Sequence, residues 1–178
     1  MAGTACHVLC STTWRGLTQV LGLMKSIIFA IALVTGSATG PGASISDGEI
    51  SLGGVTLGDS ESQVLATLGQ PTEQSDTGEG IALEYPGLIV LVGWLEQVAP
   101  GKQRHVLQLN ATGPNACTPS GVCPGAPVSK ALATYGQPIK AERSYGSFLE
   151  YYSNQSSCWL QLGTSGDTIH AINAVCQP

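Results

Sequence analysis

The chain has 178 residues, of which 43% are apolar, and a formal net charge of -5; this suits one ordinary globular domain or two small ones. Only 11% of residues are charged, while 23 glycines and 10 prolines predict many turns and short strands rather than long solvated helices. Nothing resembles a cluster of Lys or Arg that would displace phosphate counterions, which argues against nucleic acid and anionic membrane as partners.

The first predicted element is a signal peptide. Met24-Lys25-Ser26 precedes the apolar run 27–34, and small residues follow it, which is the layout of an export signal. We expect translation to start at Met24, so that residues 1–43 form an upstream extension plus the signal peptide. The apolar run is far shorter than the ~20 residues that span a bilayer, so we predict no stable membrane anchor and a periplasmic or extracellular product.

A repeated segment organises the rest of the chain. Residues 65–71 read LATLGQP and residues 132–138 read LATYGQP, with six of seven positions identical. A recurrence of this quality predicts an internal repeat. We therefore predict repeat unit 1 at residues 44–112, a connecting loop at 113–124 and repeat unit 2 at 125–178.

Each predicted unit opens with a short helix. Ser60 is a natural N-cap and Gln63 lies three residues on, which together predict a capping box. Gly69 and Pro71 predict the end of this helix. The second helix follows the same pattern, with Pro127 in its first turn.

Strands joined by short turns follow each helix. Period-two alternation and turn residues mark them, and connections this short make neighbouring strands antiparallel. The predicted fold class is therefore α+β: two tandem repeats, each a short helix followed by a three- to four-stranded antiparallel meander. The predicted strands are residues 81–85, 88–95 and 105–110 after the first helix, and 140–144, 148–152, 158–162 and 169–175 after the second.

The helix endings carry a resemblance to a known superfamily. The first helix starts at Gly58 and ends in Leu-Gly-Gln-Pro at 68–71, the second ends in Tyr-Gly-Gln-Pro at 135–138, and a meander follows each. This resembles the fold shared by the small lipoproteins of the outer-membrane barrel-assembly machinery and the secreted β-lactamase inhibitor proteins. The resemblance spans roughly residues 50 to 175, and it implies two sheets that together form a concave protein-binding surface. The chain lacks the acylated cysteine of the lipoproteins and any long inserted hairpin that would plug an enzyme's active site.

The cysteines after the predicted signal peptide are even in number, which suits disulfides in an oxidising compartment. Four thiols allow three pairings; the short loop and the last hairpin favour Cys117 with Cys123 and Cys158 with Cys176. A zinc site is the alternative, but no Cys-x-x-Cys pair is present. The only histidines in the mature part are His105 and His170, so we predict no metal and no cofactor.

An esterase is the enzymatic alternative. Gly58-Asp59-Ser60 and the Asp167-Thr-Ile-His170 segment mimic the nucleophile and D-x-x-H blocks of GDS-type esterases, in which a His oriented by Asp activates Ser. The intervening Gly and Asn blocks are not evident, and the second unit has Gly-Ala-Pro at 125–127 instead. A helix cap therefore explains Ser60 better, and we predict no enzyme.

Two carboxylates could be imagined as an acid–base pair. Glu84 and Glu150 occupy matching positions in the two units, and glycosidases need two carboxylates a few ångströms apart. Repeat symmetry is the plainer cause of the match. The alternation of the strands predicts that both face solvent.

The aromatic residues predict a binding surface. Six of the eight after the signal peptide lie in the second unit, and Tyr and Trp are residues that anchor protein interfaces. We therefore predict a secreted or periplasmic protein-binding or inhibitory module that uses its β-sheet surface, with an envelope-assembly accessory factor or a structural spacer as alternatives. The candidate binding residues are Tyr85, Trp94, Tyr145, Tyr152 and Trp159.

Overall fold

The computed structural model describes residues 43–94 and 103–177; the predicted signal peptide lies outside them. No helix in these two ranges is both long and apolar enough to cross a bilayer. A 3₁₀ turn at Asp47–Glu49 comes first. The elements that follow are β1 (Ser51–Leu52), β2 (Val55–Thr56), α1 (Glu61–Leu68), β3 (Glu73–Asp76), β4 (Ile81–Tyr85), β5 (Leu88–Gly93), β6 (His105–Ala111), α2 (Val128–Tyr135), β7 (Ile139–Arg143), β8 (Gly146–Tyr152), β9 (Cys158–Ser165) and β10 (Thr168–Cys176).

One large antiparallel sheet dominates the structure, and the prediction of two tandem helix-plus-meander repeats is wrong. The sheet has eight strands in the order β3-β4-β5-β6-β10-β9-β8-β7, with β1 and β2 forming a separate hairpin. Strands β6 and β10 join at its centre, where Leu109 lies opposite Ala174. Pairing these two strands satisfies backbone groups that separate meanders would expose at their edges, and it merges two apolar faces into a single core.

The core lies on one face of the sheet, which we call the covered face. Alternate strand residues point to it, and Leu83, Leu109, Leu160 and Ile172 are all completely buried there. Both helices pack on this face, through Val64 of α1 and through Ala131 and Tyr135 of α2. The covered face therefore explains the apolar alternation of the strands.

Helix α1 is anchored by side chains at both ends, and α2 at its C-terminal end. The capping box is confirmed, because the Ser60 hydroxyl accepts from the Gln63 backbone and the Gln63 side chain accepts from the Ser60 backbone. The residue that follows the last residue of each helix is a glycine with positive φ, 80° at Gly69 and 82° at Gly136, and this conformation favours glycine. The hydroxyls of Tyr85 and Tyr151 donate to the carbonyls of Gly69 and Gly136 respectively. These bonds tie β4 and β8 to the helix ends.

Both disulfides form among the four cysteines. Cys117 is bonded to Cys123, and Cys158 is bonded to Cys176, which is the pairing that the loop length and the hairpin favoured. The second bond joins directly opposed residues of β9 and β10. Two disulfides fit an exported protein, because reducing compartments rarely preserve them.

Candidate functional site

The second face of the sheet carries no helix within the described ranges, and we call it the open face. Register and alternation place one residue from each strand in a row across it. From β3 to β7 in sheet order, this row contains Glu73, Glu84, Ile89, Asn110, Asn173, Gln161, Glu150 and Ile139.

An aromatic cluster, formed by Tyr145, Phe148, Tyr152 and Trp159, lies on the open face at β8 and β9. The Tyr145 and Phe148 rings are 5.2 Å apart and tilted, and the Tyr152 and Trp159 rings stack at 5.4 Å. Both distances fall in the range of favourable aromatic pairs. Tyr145 lies in the turn before β8 and is 67% exposed, so the cluster presents a large aromatic side chain to solvent.

A buried carboxylate lies beside the aromatic cluster. Glu150 is completely buried, so the prediction that it faces solvent is wrong. The Arg143 Nε and Nη2 atoms donate to its two oxygens at 2.9 and 2.7 Å. The Tyr152 hydroxyl donates at 2.5 Å and the Gln161 amide at 2.9 Å. Bidentate guanidinium–carboxylate pairs hold their geometry more strictly than single hydrogen bonds, so this network fixes the side chains that support the cluster.

The electrostatics of the network favour one protonation state. Burial alone would raise the pKa of Glu150, but the bonds from Arg143, Tyr152 and Gln161 outweigh it and hold the pKa below its ordinary value. Burial, together with the neighbouring Glu150 carboxylate, raises the pKa of Tyr152. At neutral pH Glu150 is therefore ionised, Arg143 is cationic and Tyr152 is a neutral donor.

Trp159 contains a polar group that its surroundings do not satisfy. The side chain is 9% exposed, and its buried Nε1 atom has no hydrogen-bond partner among the described residues. A buried donor left without an acceptor costs about 1–3 kcal/mol. Native structures contain few such groups, and each calls for an explanation.

A glycine lets two rings approach the sheet beside the cluster. A Cβ atom on Gly163 would meet the His170 ring at 3.0 Å and the Phe148 ring at 3.6 Å. Both rings therefore lie over this position of β9. His170 thus belongs to the open face, next to the aromatic cluster.

The candidate binding residues separate into three locations. Tyr145, Tyr152 and Trp159 meet in the aromatic cluster, as described above. Trp94 follows β5 directly, away from the cluster, and is 49% exposed. Tyr85 packs against the core on the covered face. Sequence reasoning missed the supporting side chains, above all Arg143 and Gln161, which no local pattern marks.

The proposed esterase residues lie at opposite ends of the sheet. Ser60 bridges His105 at the start of β6, and its hydroxyl bonds to Gln63 and Ser62. His170 lies near the residues of β10 that pair with the far end of β6. Six residues of strand separate the two ends, or roughly 20 Å. The structure therefore does not bring Ser60 and His170 together.

The two matched carboxylates are also too far apart to act together. Glu84 on β4 and Glu150 on β8 lie five strand spacings apart in the sheet order, or roughly 24 Å, which is too far for an acid–base pair on one substrate. In the described part of the chain, no group of three or more His, Cys, Asp or Glu side chains could hold a metal ion.

Comparisons with known proteins found a distant structural neighbour and no family. No protein-family model matches the chain, and no curated protein matches it. Among solved structures, an extracellular protein containing an SCP domain from Bacillus anthracis str. Ames is similar, with a TM-score of 0.44 and 14% identity. The alignment covers 68% of this chain and 44% of that one, so this chain spans less than half of that protein. A similarity at this level identifies no family.

Proposed function

We propose that this protein is an exported protein-binding module of the inhibitory kind and that its open face contacts the partner. The observation that carries the proposal is the aromatic cluster, which lies on a sheet face without a helix among the described elements. Interface hot spots are rich in Tyr, Trp and Arg and lie in well-packed surroundings. Tyr145 supplies an exposed anchor, and Tyr152 and Arg143 lie beside it.

The rigidity of the cluster supports this role. Glu150 accepts four hydrogen bonds from three side chains, so the neighbouring rings are held before any partner arrives. A surface ordered in advance loses less conformational entropy on binding.

The inhibitory role is proposed from the resemblance of the two helix endings to those of the β-lactamase inhibitor proteins, although the two sheets that this resemblance implied are a single sheet in the structure. The two disulfides support an exported location, because reducing compartments rarely preserve them. We therefore propose that it acts in the periplasm or the extracellular medium.

The test is capture from the exported protein fraction of the source organism on immobilised protein, with each captured candidate then purified and its Kd measured. Tyr145→Ala removes an exposed ring that the core does not need, and we expect at least a tenfold weaker Kd. Lys130→Ala, an exposed substitution on α2, is the matched control and should change nothing. Candidates that are hydrolases, β-lactamases included, are then assayed for inhibition of substrate turnover.

Two results would overturn the proposal. One is the absence of any saturable partner for the wild-type protein. The other is a partner whose Kd is unchanged by Tyr145→Ala and weakened by Lys130→Ala, which would place the contact on the covered side.

A further inference from the structure

A groove crosses the other half of the open face. A cavity of about 250 Å³ lies over β4, β5 and β6. Ile89, in its floor, is 41% exposed, a high value for a large apolar side chain. The lining residues are Thr77, Ala82, Ile89, Leu91, Gln108 and Asn110.

A second cavity, of about 630 Å³, lies at the ends of the strands and shares Leu91 and Gln108 with the first. Trp94 and Glu79 line it together with residues of the covered side, among them Leu57 and Cys176. Its volume lies within the range of ligand-binding clefts. We call the two cavities together the apolar groove.

Three carboxylates lie in or beside the apolar groove. Glu73 and Glu84 lie directly opposite each other on β3 and β4, on the open face, and Glu79 lines the groove. The salt bridges between described residues, Arg104–Glu61 and Arg143–Glu150, involve none of these three carboxylates.

Opposed like charges destabilise a strand pair, and a cation beside them removes that repulsion. We propose that the apolar groove binds a basic, apolar segment of the partner protein, with its Lys or Arg side chains at Glu73 and Glu84 and its apolar side chains on Ile89 and Leu91. This inference rests on the proposed function, because it assigns the partner's chemistry at the same open face. Electrostatic complementarity of this kind sets specificity and association rate.

The spacing of the groove fits an extended segment. Glu84 lies opposite Ile89, so a carboxylate and an apolar contact point are one strand apart, or roughly 5 Å. Side chains at i and i+2 of an extended chain are roughly 7 Å apart, and a long, flexible Lys side chain can make up the difference between this spacing and the spacing of Glu84 and Ile89. A partner segment that alternates basic and apolar residues at every second position, as in Lys-Ser-Leu-Ser-Lys, presents both types on one face and can therefore place one at the carboxylates and the other in the groove.

The probe is a fluorescein-labelled peptide of sequence Lys-Ser-Leu-Ser-Lys-Ser-Leu, the Lys–Leu peptide, whose Lys and Leu side chains share one face when it is extended. The charge controls are the peptides with Ser or Glu in place of both Lys residues, the Ser–Leu and Glu–Leu peptides. Its Kd is measured by fluorescence anisotropy on the disulfide-bonded protein. We expect the Lys–Leu peptide to bind at least tenfold more tightly than the Ser–Leu peptide, and its binding to weaken as ionic strength rises.

The variants separate local charge from net charge. Glu73→Gln combined with Glu84→Gln should weaken binding of the Lys–Leu peptide about tenfold, the effect of two modest charge contacts. The matched control, Glu142→Gln combined with Asp167→Asn, removes the same net charge elsewhere and should change the Kd less than twofold. Ile89→Ser tests the apolar contact and should also weaken binding, without unfolding the protein, because Ile89 is exposed.

Three outcomes would overturn the inference. The first is equal binding of the Lys–Leu and Ser–Leu peptides, and the second is an equal loss of affinity in the two double variants. The third is self-association of the protein, measured by sedimentation, that the Glu73/Glu84 variant abolishes; the occupant of the groove would then be a second copy of the chain.

Failure of this inference is distinguishable from failure of the proposed function. If the Lys–Leu peptide shows no preference while Tyr145→Ala still loses the captured partner, only the charge inference fails. If the peptide behaves as expected but Tyr145→Ala binds the partner normally, the aromatic anchor fails.

Discussion

Replacing Arg143 by Met should expose the energetic role of the buried carboxylate. The Met side chain keeps the apolar stem of Arg143 and removes its guanidinium, so Glu150 remains buried without its cation. Removing one partner of a buried pair costs 3–5 kcal/mol in general. Arg143 is itself 37% exposed, and the Tyr152 and Gln161 donors remain, so we expect a smaller loss, about 2–3 kcal/mol of unfolding free energy at pH 7.

The chain offers a matched control in Arg104 and Glu61. This pair is also bidentate, at 2.8 Å for both bonds, but Glu61 is 19% exposed whereas Glu150 is fully buried. Solvent screens it, so Arg104→Met should cost about 0.5–1 kcal/mol. Both variants are measured by urea unfolding with the disulfides intact.

The pH dependence gives the sign of the effect. In the wild-type protein the folded pKa of Glu150 lies below its unfolded value of about 4.3, so its stabilisation is fully present above that pH and is lost as pH falls through the folded pKa. In the Arg143→Met variant fewer hydrogen bonds oppose the effect of burial, so the folded pKa of Glu150 rises. The free-energy cost of the missing guanidinium then shrinks as the pH falls and the Glu150 carboxyl takes up a proton. The difference between the two proteins should therefore be largest near neutral pH and smallest near pH 3. A loss no larger than that of Arg104→Met, or a difference independent of pH, would refute this reasoning.

Three further substitutions test the fold and the open face. Ser60→Ala removes the capping box and should cost about 1 kcal/mol in urea unfolding with partner binding unchanged; lost binding would place Ser60 in the site instead. Replacing both Cys158 and Cys176 by Ser removes a cross-link over 18 residues and should cost about 3 kcal/mol from loop entropy, measured as a lower Tm by calorimetry; an unchanged Tm contradicts it. Gly163→Ala places a Cβ atom 3.0 Å from the His170 ring, and we expect a displaced imidazole NMR resonance and a loss of about 1 kcal/mol; an unmoved resonance argues against the contact.

The helices and most strands could be predicted from local signals, but β3 could not. The capping box at Ser60 and the alternation of Ile81–Tyr85 are patterns that a few residues determine. Strand β3, at Glu73–Asp76, contains no apolar residue and is fully exposed. It exists because it completes an edge of the sheet by pairing with β4, so the cause lies in its neighbour and not in its own sequence.

The joining of the sheet was also beyond local patterns. Alternation in β6 and β10 shows which of their residues are buried, but not which strand edges meet. The pairing of β6 with β10, which joins the two halves of the sheet, depends on a register in which Leu109 lies opposite Ala174. Residues this far apart in sequence share no periodicity that would reveal the pairing.

The two matched carboxylates show where symmetry misleads. Glu84 and Glu150 have similar neighbours in sequence, yet only Glu150 is fully buried. The difference comes from Arg143, which lies four residues along β7 from Ile139, the residue paired with Glu150. Its long side chain must therefore run back along the sheet to reach the carboxylate, and register alone does not predict such a contact. By contrast, alternation with Leu83 is enough to place Tyr85 on the covered face, so that position was within reach of the sequence.

The open face contains features that the fold itself does not need. The core lies on the covered face, and the exposed ring of Tyr145 adds nothing to it. The unpartnered Trp159 N–H costs free energy in the isolated protein, and opposed Glu73 and Glu84 repel each other. A face that only met solvent could carry short polar side chains in place of Tyr145, Glu73 and Glu84 without any loss to the core. A partner that covers the ring of Tyr145 and places a cation at the two carboxylates would gain affinity from both contacts, and this is why we propose that the open face is the binding surface.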